Sequence, residues 1–126
     1  MARTISLNIC APDDGTWFWR GEVEPRTRRM VQMLIDPPEH GAEYVLLGRA
    51  SIPVGHAAPW HRHVGHEEFC LIISGRGEFW TEHARCAVGP GDVQLVAPNE
   101  LHLHRQLGNE PLEFVWGYAP PGQSPS

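Results

Sequence analysis

The chain has 126 residues, which suits one domain with a real hydrophobic core and is too short for separate cofactor and substrate domains. Ten Lys and Arg residues against fifteen Asp and Glu residues give a formal net charge of −5 at pH 7. A nucleic-acid-binding protein needs a basic surface, so nucleic acid is not expected as a partner.

The leading segment, about residues 1–28, has no apolar run of the length of a signal peptide or a membrane span. We therefore expect a cytoplasmic protein without a membrane partner. The stretch TWFW brings two tryptophans into three residues without strict alternation, which favours a segment that covers the rest of the fold or a partner subunit. The basic run EPRTRR, with Arg26, Arg28 and Arg29, suits either a solvated loop or a contact to an anion.

Short runs rich in Val, Ile, Leu, Phe and Trp follow, separated by turns that use many of the thirteen glycines and twelve prolines. This rhythm predicts an all-β sandwich or barrel, and no segment has a convincing helical period. The predicted strands are residues 29–35, 44–52, 67–74, 77–83, 92–97, 101–107 and 112–119. We expect a single domain over residues 1–126, with the barrel at about 29–119 and a frayed, Pro-rich tail at 120–126.

Three cysteines, Cys10, Cys70 and Cys86, are widely spaced and form no CxxC pair. Their odd number and spacing argue against a disulfide framework and against a thiolate zinc site. We expect reduced thiols.

The stretch PWHRHVGHEEF, residues 59–69, is the densest group of potential metal ligands in the sequence. Residues two apart on a strand point to the same face, so His61 and His63 would present two imidazoles side by side. A carboxylate and a further imidazole would complete a set of nitrogen and oxygen donors suited to Fe, Mn, Ni, Zn or Co. The further donors available are His66, Glu67, Glu68, His102 and His104.

Residues 55–75 resemble the first motif of the cupins, which are small jelly-roll β-barrels. That motif is Gly, five residues, His-x-His, three or four residues, Glu, six residues and Gly. Here it stands as Gly55, HAAPW, HRH, VGHE, Glu68, FCLIIS and Gly75, so every fixed position is met with the longer spacing.

The second cupin motif is Gly, five residues, Pro-x-Gly, two residues, His, three residues and Asn. Here Gly91 is followed by DVQLV, APN, EL and His102. Ala97, Asn99 and Gln106 replace its proline, its turn glycine and its final asparagine. Asn is the residue other than Gly that best tolerates a left-handed turn, and none of the three departures touches a ligand position. The PNE turn is similar to that of single-domain bacterial cupins.

The resemblance covers most of the chain and implies a single cupin barrel that holds one divalent transition metal ion. The ligands that it implies are His61, His63, Glu68 and His102. His66 would then lie in the loop, and strand alternation independently turns Glu67 away from the face of Glu68. With the strand shifted by one residue, His66 or Glu67 would bind instead.

Other side chains are expected on the inner face, either lining a pocket or packing in the core. They are His104, Gln106, Phe114, Trp116 and Tyr118. Because these residues are mainly aromatic and neutral, a small oxygenated organic molecule is favoured as substrate over a sugar phosphate.

Four protein ligands leave up to two positions of an octahedron for substrate or dioxygen. The resemblance therefore allows a metal-dependent, dioxygenase-like oxidoreductase, with His104 or Tyr118 as proton donor or acceptor. A redox-silent ion would favour an isomerase or lyase, and a non-enzymatic cupin that binds a small molecule is the alternative from another class. We expect a homodimer built by strand or N-terminal exchange, since one small barrel leaves sheet edges uncovered.

Overall fold

Nine antiparallel strands are present in the computed structural model, which describes residues 17–36 and 42–120. In chain order they are β1 (Trp17–Arg20), β2 (Arg29–Ile35), β3 (Leu46–Ile52), β4 (Glu67–Ser74), β5 (Arg76–Thr81), β6 (Arg85–Val88), β7 (Val93–Val96), β8 (His102–Leu107) and β9 (Leu112–Ala119). A six-stranded sheet has the order β1-β2-β3-β9-β4-β7, and a three-stranded sheet has the order β6-β5-β8. Both sheets contribute to one hydrophobic core, so the fold is the expected all-β jelly roll.

Most predicted strands are confirmed. β2, β4 and β9 have the predicted bounds, and β3, β5, β7 and β8 differ by one or two residues at one or both ends. The prediction missed β1 and β6, which have four residues each and lie at sheet edges. An edge strand pairs with a neighbour on one side only. Neither β1 nor β6 shows the regular alternation of buried and exposed residues on which the strand prediction relied.

Some expectations concern residues 1–16, 37–41 and 121–126, which lie outside the described residues. They include Cys10, most of the leading segment and nearly all of the tail. Cys70 and Cys86 are both free, as expected. Within the described ranges, no helix is long and apolar enough to cross a membrane.

The alternation of inward and outward side chains along β4 determines which of its two glutamates points into the barrel. Glu68, Cys70 and Ile72 are buried, whereas Glu67 and Phe69 are exposed. β4 is paired with β7 on one side and β9 on the other, so its register cannot shift by one residue without exposing its core face. The prediction that Glu67 points away from the face of Glu68 is confirmed.

Two of the departures from the second cupin motif have clear structural roles. Asn99 has a φ of 65°, the left-handed conformation of the glycine that it replaces. The side chain of Gln106 accepts a hydrogen bond from the Gly55 N–H at 2.8 Å. Its amide nitrogen donates to three backbone carbonyls, those of Leu107, Gly108 and Glu110. The hydrogen bonds of Gln106 therefore connect the loop of the first motif to the turn after β8.

Gly48 makes room for the largest aromatic side chain of the core. It lies opposite Trp116 in the pairing of β3 with β9. A Cβ atom at Gly48 would lie 2.1 Å from the Trp116 ring, far inside van der Waals contact.

We predict that Gly48→Ala destabilises the protein by about 1–3 kcal/mol, because the added methyl group overpacks the core against the buried indole. The measurement is the free energy of unfolding in urea. Gly89→Ala is the matched control, because nothing lies within 4 Å of a Cβ at that position. Equal stability of the two variants would contradict the packing argument.

Candidate metal centre

Four potential metal ligands lie close together in the interior. They are the side chains of His61, His63, Glu68 and His102. One ligand atom from each lies within 4.8 Å of all the others. Ligand atoms about 2.1 Å from a shared ion lie at most about 4.2 Å apart, so movements of a fraction of an ångström would complete a coordination shell. His63, Glu68 and His102 are buried, and His61 is half-buried.

Backbone pairing places the ligands opposite one another. The His61 N–H donates to the His102 carbonyl at 3.2 Å, and the His102 N–H donates to the His61 carbonyl at 3.0 Å. The carbonyl of His63 accepts a hydrogen bond of 2.7 Å from the N–H of Asn99, in the turn that leads to His102. Glu68 enters from β4. The two histidine-bearing segments are therefore held against each other by main-chain hydrogen bonds.

Neighbouring carbonyl groups orient two of the imidazole rings. Nδ1 of His61 lies 2.7 Å from the carbonyl oxygen of Pro59, and Nδ1 of His102 lies 2.8 Å from that of Glu100. A carbonyl oxygen can only accept, so each Nδ1 carries the proton and donates it. The Nε2 atom of each neutral ring then has a free lone pair, as a metal ligand requires.

The contact between His102 and Glu68 shows that the residues fit a metal ion. Nε2 of His102 lies 2.8 Å from Oε1 of Glu68, and Nε2 of His63 lies 3.6 Å from Oε2 of the same carboxylate. Since Nδ1 of His102 is the donor to Glu100, a neutral ring would leave two acceptors facing each other. Such a pair is stable only with a shared cation, either an extra proton or a metal ion.

Burial keeps two ligand rings in the form that binds metal. Desolvation, followed by the neighbouring His102, lowers the pKa of His61 to about 4. Desolvation, followed by His61 and His102, lowers the pKa of His63 to about 3. Both rings are therefore neutral at pH 7 and offer a lone pair.

A cavity of about 40 Å³ adjoins the cluster, room for a few water molecules or a very small ligand. His61, Glu68 and His102 of the cluster line the cavity. The other lining residues are Arg29, Val31, Ala50, Ala58, Cys70, His104, Phe114, Trp116 and Tyr118. The expected inward placement of His104, Phe114, Trp116 and Tyr118 is confirmed. One charged residue of the wall, Arg29, was not expected there from the sequence. The run EPRTRR suits either a solvated loop or an anion contact, and neither interpretation predicted that Arg29 is buried.

Tyr118 and His104, the two candidate proton donors or acceptors, have different surroundings. The Tyr118 hydroxyl lies 3.1 Å from Nε2 of His63. Burial, followed by Glu68, raises the pKa of Tyr118 well above its ordinary value, so the hydroxyl keeps its proton. Nε2 of His104 lies 2.7 Å from the side-chain oxygen of Gln94, so it donates there, and burial lowers the pKa of His104 to about 3.

Two further buried polar residues adjoin the site: His66, which the sequence offered only as an alternative ligand, and Gln94, which the sequence analysis did not single out. His66 packs behind the cluster, with its ring centroid 5.3 Å from that of His63 and 4.3 Å from that of Tyr118. Gln94 faces inward from β7 and holds His104. Alternation along β7 could have identified Gln94, since it lies between two outward residues.

Residues 48–118 match the family described as Cupin domain, so the chain belongs to the cupins. An oxalate-binding protein of Thermotoga maritima is 30% identical over 96 residues, which are 76% of this chain and 74% of the relative. The four clustered residues stand at the ligand positions of the cupin motifs. This chain is therefore a small cupin whose cluster is able to bind one metal ion.

Solved structures with the same fold include two bacterial proteins. A predicted oxalate decarboxylase from Thermotoga maritima has a TM-score of 0.75 and 22% identity, and the match covers 86% of this chain and 95% of that one. A cupin 2 conserved barrel domain protein from Rhodopseudomonas palustris has a TM-score of 0.75 and 18% identity. This match covers 90% of this chain and 77% of that one. At these identities the likeness concerns the fold.

We predict about one transition metal ion per purified chain, and an affinity at least about 100-fold lower in Glu68→Ala and in His102→Ala, because each removes a ligand. The measurement is elemental analysis of protein prepared without chelators or a histidine tag. Glu67→Ala is the matched control, since it removes the adjacent, exposed carboxylate. If Glu67→Ala lost the ion and Glu68→Ala kept it, the shifted ligand set would be correct.

Proposed function

We propose that this cupin is a metal-dependent, dioxygenase-like oxidoreductase that acts on a small oxygenated organic molecule. The observation that carries the proposal is the cluster of three imidazoles and one carboxylate beside a small, mainly apolar cavity. His61, His63, Glu68 and His102 would hold the ion, which would leave up to two coordination positions for substrate or dioxygen. A bound Fe or Mn ion would supply Lewis acidity and redox chemistry.

The cavity walls supply the remaining parts of the mechanism. Phe114 and Trp116 exclude water, which strengthens every polar interaction within the cavity. Tyr118 retains its phenolic proton beside Nε2 of His63, and once that nitrogen binds the ion the hydroxyl would donate a hydrogen bond to a substrate oxygen in the cavity. His104 is held by Gln94 through Nε2, so any proton that it exchanges with substrate passes through Nδ1.

The names of the similar proteins support a small substrate. A relative from Thermotoga maritima is named an oxalate-binding protein, and a solved structure from the same organism is described as a predicted oxalate decarboxylase. Oxalate has six heavy atoms, in keeping with a small cavity beside the cluster. A non-enzymatic binding role is the second candidate, because the relative at 30% identity is named for binding.

Substrate-dependent oxygen uptake tests the proposal. We expect Fe²⁺- or Mn²⁺-loaded protein to consume oxygen or release carbon dioxide with oxalate or another small oxygenated acid. Tyr118→Phe should lower kcat by about 100-fold or more without changing the metal content, since it removes only the donor hydroxyl. His83→Ala, at an exposed position, is the control. Tight ligand binding without turnover by the parent would favour the binding role.

We also propose a homodimer that forms through the outer face of the larger sheet. Phe69, Leu71 and Ile73 of β4 point outward there, next to Val93 and Leu95 of the edge strand β7. All five are exposed, between 38% and 67%. A contiguous apolar face on a sheet edge is unusual for a monomer, and a second copy of the same uncharged surface would cover it.

Light scattering with size-exclusion chromatography tests the dimer. We expect the parent to elute as a dimer and Leu95→Glu as a monomer, because two buried carboxylates would face the partner's apolar surface. Leu95 is already 67% exposed in one chain, so the monomer should keep its fold. Val54→Glu, at another exposed apolar position, should remain dimeric. A monomeric parent would contradict the proposal.

We propose a cytoplasmic location on the basis of the thiols. Cys86 is free and exposed, and Cys70 is free and buried. An exposed free thiol suits a reducing compartment.

A further inference from the structure

His104 lies on β8 with its side chain between two aromatic rings of the core. Its ring centroid lies 5.0 Å from that of Phe79 and 4.6 Å from that of Phe114. The residue is only 3% exposed. Such surroundings disfavour the charged imidazolium, so the ring is neutral and has one N–H group and one lone pair. Its two nitrogen atoms therefore have opposite hydrogen-bonding roles.

Gln94 determines which nitrogen of His104 carries the proton. Nε2 of His104 lies 2.7 Å from Oε1 of Gln94, and an amide oxygen can only accept, so Nε2 is the donor. Gln94 is buried and points inward from β7, between the exposed residues Val93 and Leu95. The register of β7 against β4 places Gln94 opposite Cys70 of the core, so a shift by one residue would turn the amide outward. A residue of the larger sheet thus fixes the tautomer of a residue of the smaller sheet.

The Nδ1 atom of His104 is left with an unused lone pair. Among the residues that the structure describes, none donates a hydrogen bond to this atom. His104 lines the cavity beside the metal-binding cluster. The two nitrogens of an imidazole ring point in diverging directions, so the lone pair on Nδ1 is directed away from Gln94. An acceptor in an apolar interior is unfavourable until a donor reaches it, and the cavity is the space from which a ligand supplies one.

Tyr118 gives the same cavity a donor. Its hydroxyl lies 3.1 Å from Nε2 of His63, and it becomes free to face the cavity once that nitrogen binds the ion. The cavity wall then presents one donor, from Tyr118, and one acceptor, from His104. A ligand that complements both carries an oxygen acceptor and an O–H donor, whereas oxalate with both carboxyl groups ionised has acceptors only.

We propose that Gln94 and His104 select a substrate with a hydroxyl group, which donates a hydrogen bond to Nδ1 of His104. The inference rests on the proposed function, because the other oxygens of the substrate would face the metal-binding residues. His104 is the specificity-determining residue, since it lines the cavity, and Gln94 is a positioning residue that acts through it. The substrate class is therefore a small hydroxylated compound, of which glycolate is a simple example with nearly the size of oxalate.

The position of the proton on His104 is measured by long-range proton–nitrogen correlation spectra of the imidazole rings. The sample is the Zn²⁺-loaded full chain, since Zn²⁺ has no unpaired electrons. We expect a neutral His104 ring with its proton on Nε2, and a loss of this single tautomer in Gln94→Leu, which removes the acceptor. The signals that disappear in His104→Phe assign the ring. A proton on Nδ1 of the parent would overturn the proposal.

Calorimetric titration of the Mn²⁺-loaded full chain tests the substrate class, with glycolate as the hydroxylated probe and oxalate as the probe without a hydroxyl group. We expect Gln94→Leu to weaken glycolate binding about tenfold and oxalate binding about twofold at most, because only glycolate donates to Nδ1. The double variant Gln94→Leu/His104→Phe should show the same loss of selectivity at little cost in stability, because it removes both partners of the buried hydrogen bond. His83→Phe, the same change at an exposed histidine, should match the parent.

Elemental analysis of each variant separates this inference from the proposed function. A metal-loaded parent that fails to bind glycolate, or variants in which glycolate and oxalate weaken equally, would overturn the hydroxyl assignment. Unchanged glycolate affinity in the double variant would overturn it too. Oxygen uptake with oxalate in any of these cases would leave the proposed function standing. A parent without metal would overturn the proposed function, and the tautomer of His104 in that metal-free chain would still decide the role of Gln94.

Discussion

The contact of 2.8 Å between His102 and Glu68 joins the two sheets inside the barrel, and the interior depends on it. A carboxylate in an apolar interior is strongly unfavourable unless a cation or donors compensate its charge. Nδ1 of His102 is already committed to a backbone carbonyl, so a shared proton or metal ion has to supply that compensation. Closing the two sheets over Glu68 and binding a cation are therefore linked, as in other proteins whose metal sites form on folding.

Local contacts orient two of the ligand rings, whereas the pairing of distant backbone segments brings the ligands close to one another. His61 and His102 each donate Nδ1–H to the carbonyl two residues earlier in the chain, so the same short-range arrangement occurs twice. The reciprocal backbone hydrogen bonds between His61 and His102 then place the two imidazole rings next to each other. Because neighbouring backbone carbonyls fix the tautomer and orientation of each ring in the folded chain, little reorganisation is left for ion binding.

Much of the site was accessible from the sequence, because the relevant signals are local. Alternation with a period of two distinguishes Glu68 from Glu67 and places Phe114, Trp116 and Tyr118 on one face. The resemblance of the histidine, glutamate and glycine spacing to the cupin motifs implies the ligand set, and the turn chemistry of Asn predicts the left-handed residue Asn99. Such signals depend on neighbours along the chain and on the pleat of a strand, both of which can be read without knowing the fold.

The sequence alone determined an all-β barrel and four candidate ligands, and the tertiary structure decided what surrounds them. Tyr118 meets His63 across 55 positions, and Arg20 meets Arg29 only through the pairing of β1 with β2. The short edge strands β1 and β6 show no regular alternation, so their pairing could not be foreseen. These contacts depend on register between distant segments, and register follows from burying the core of both sheets at once, which no local pattern encodes.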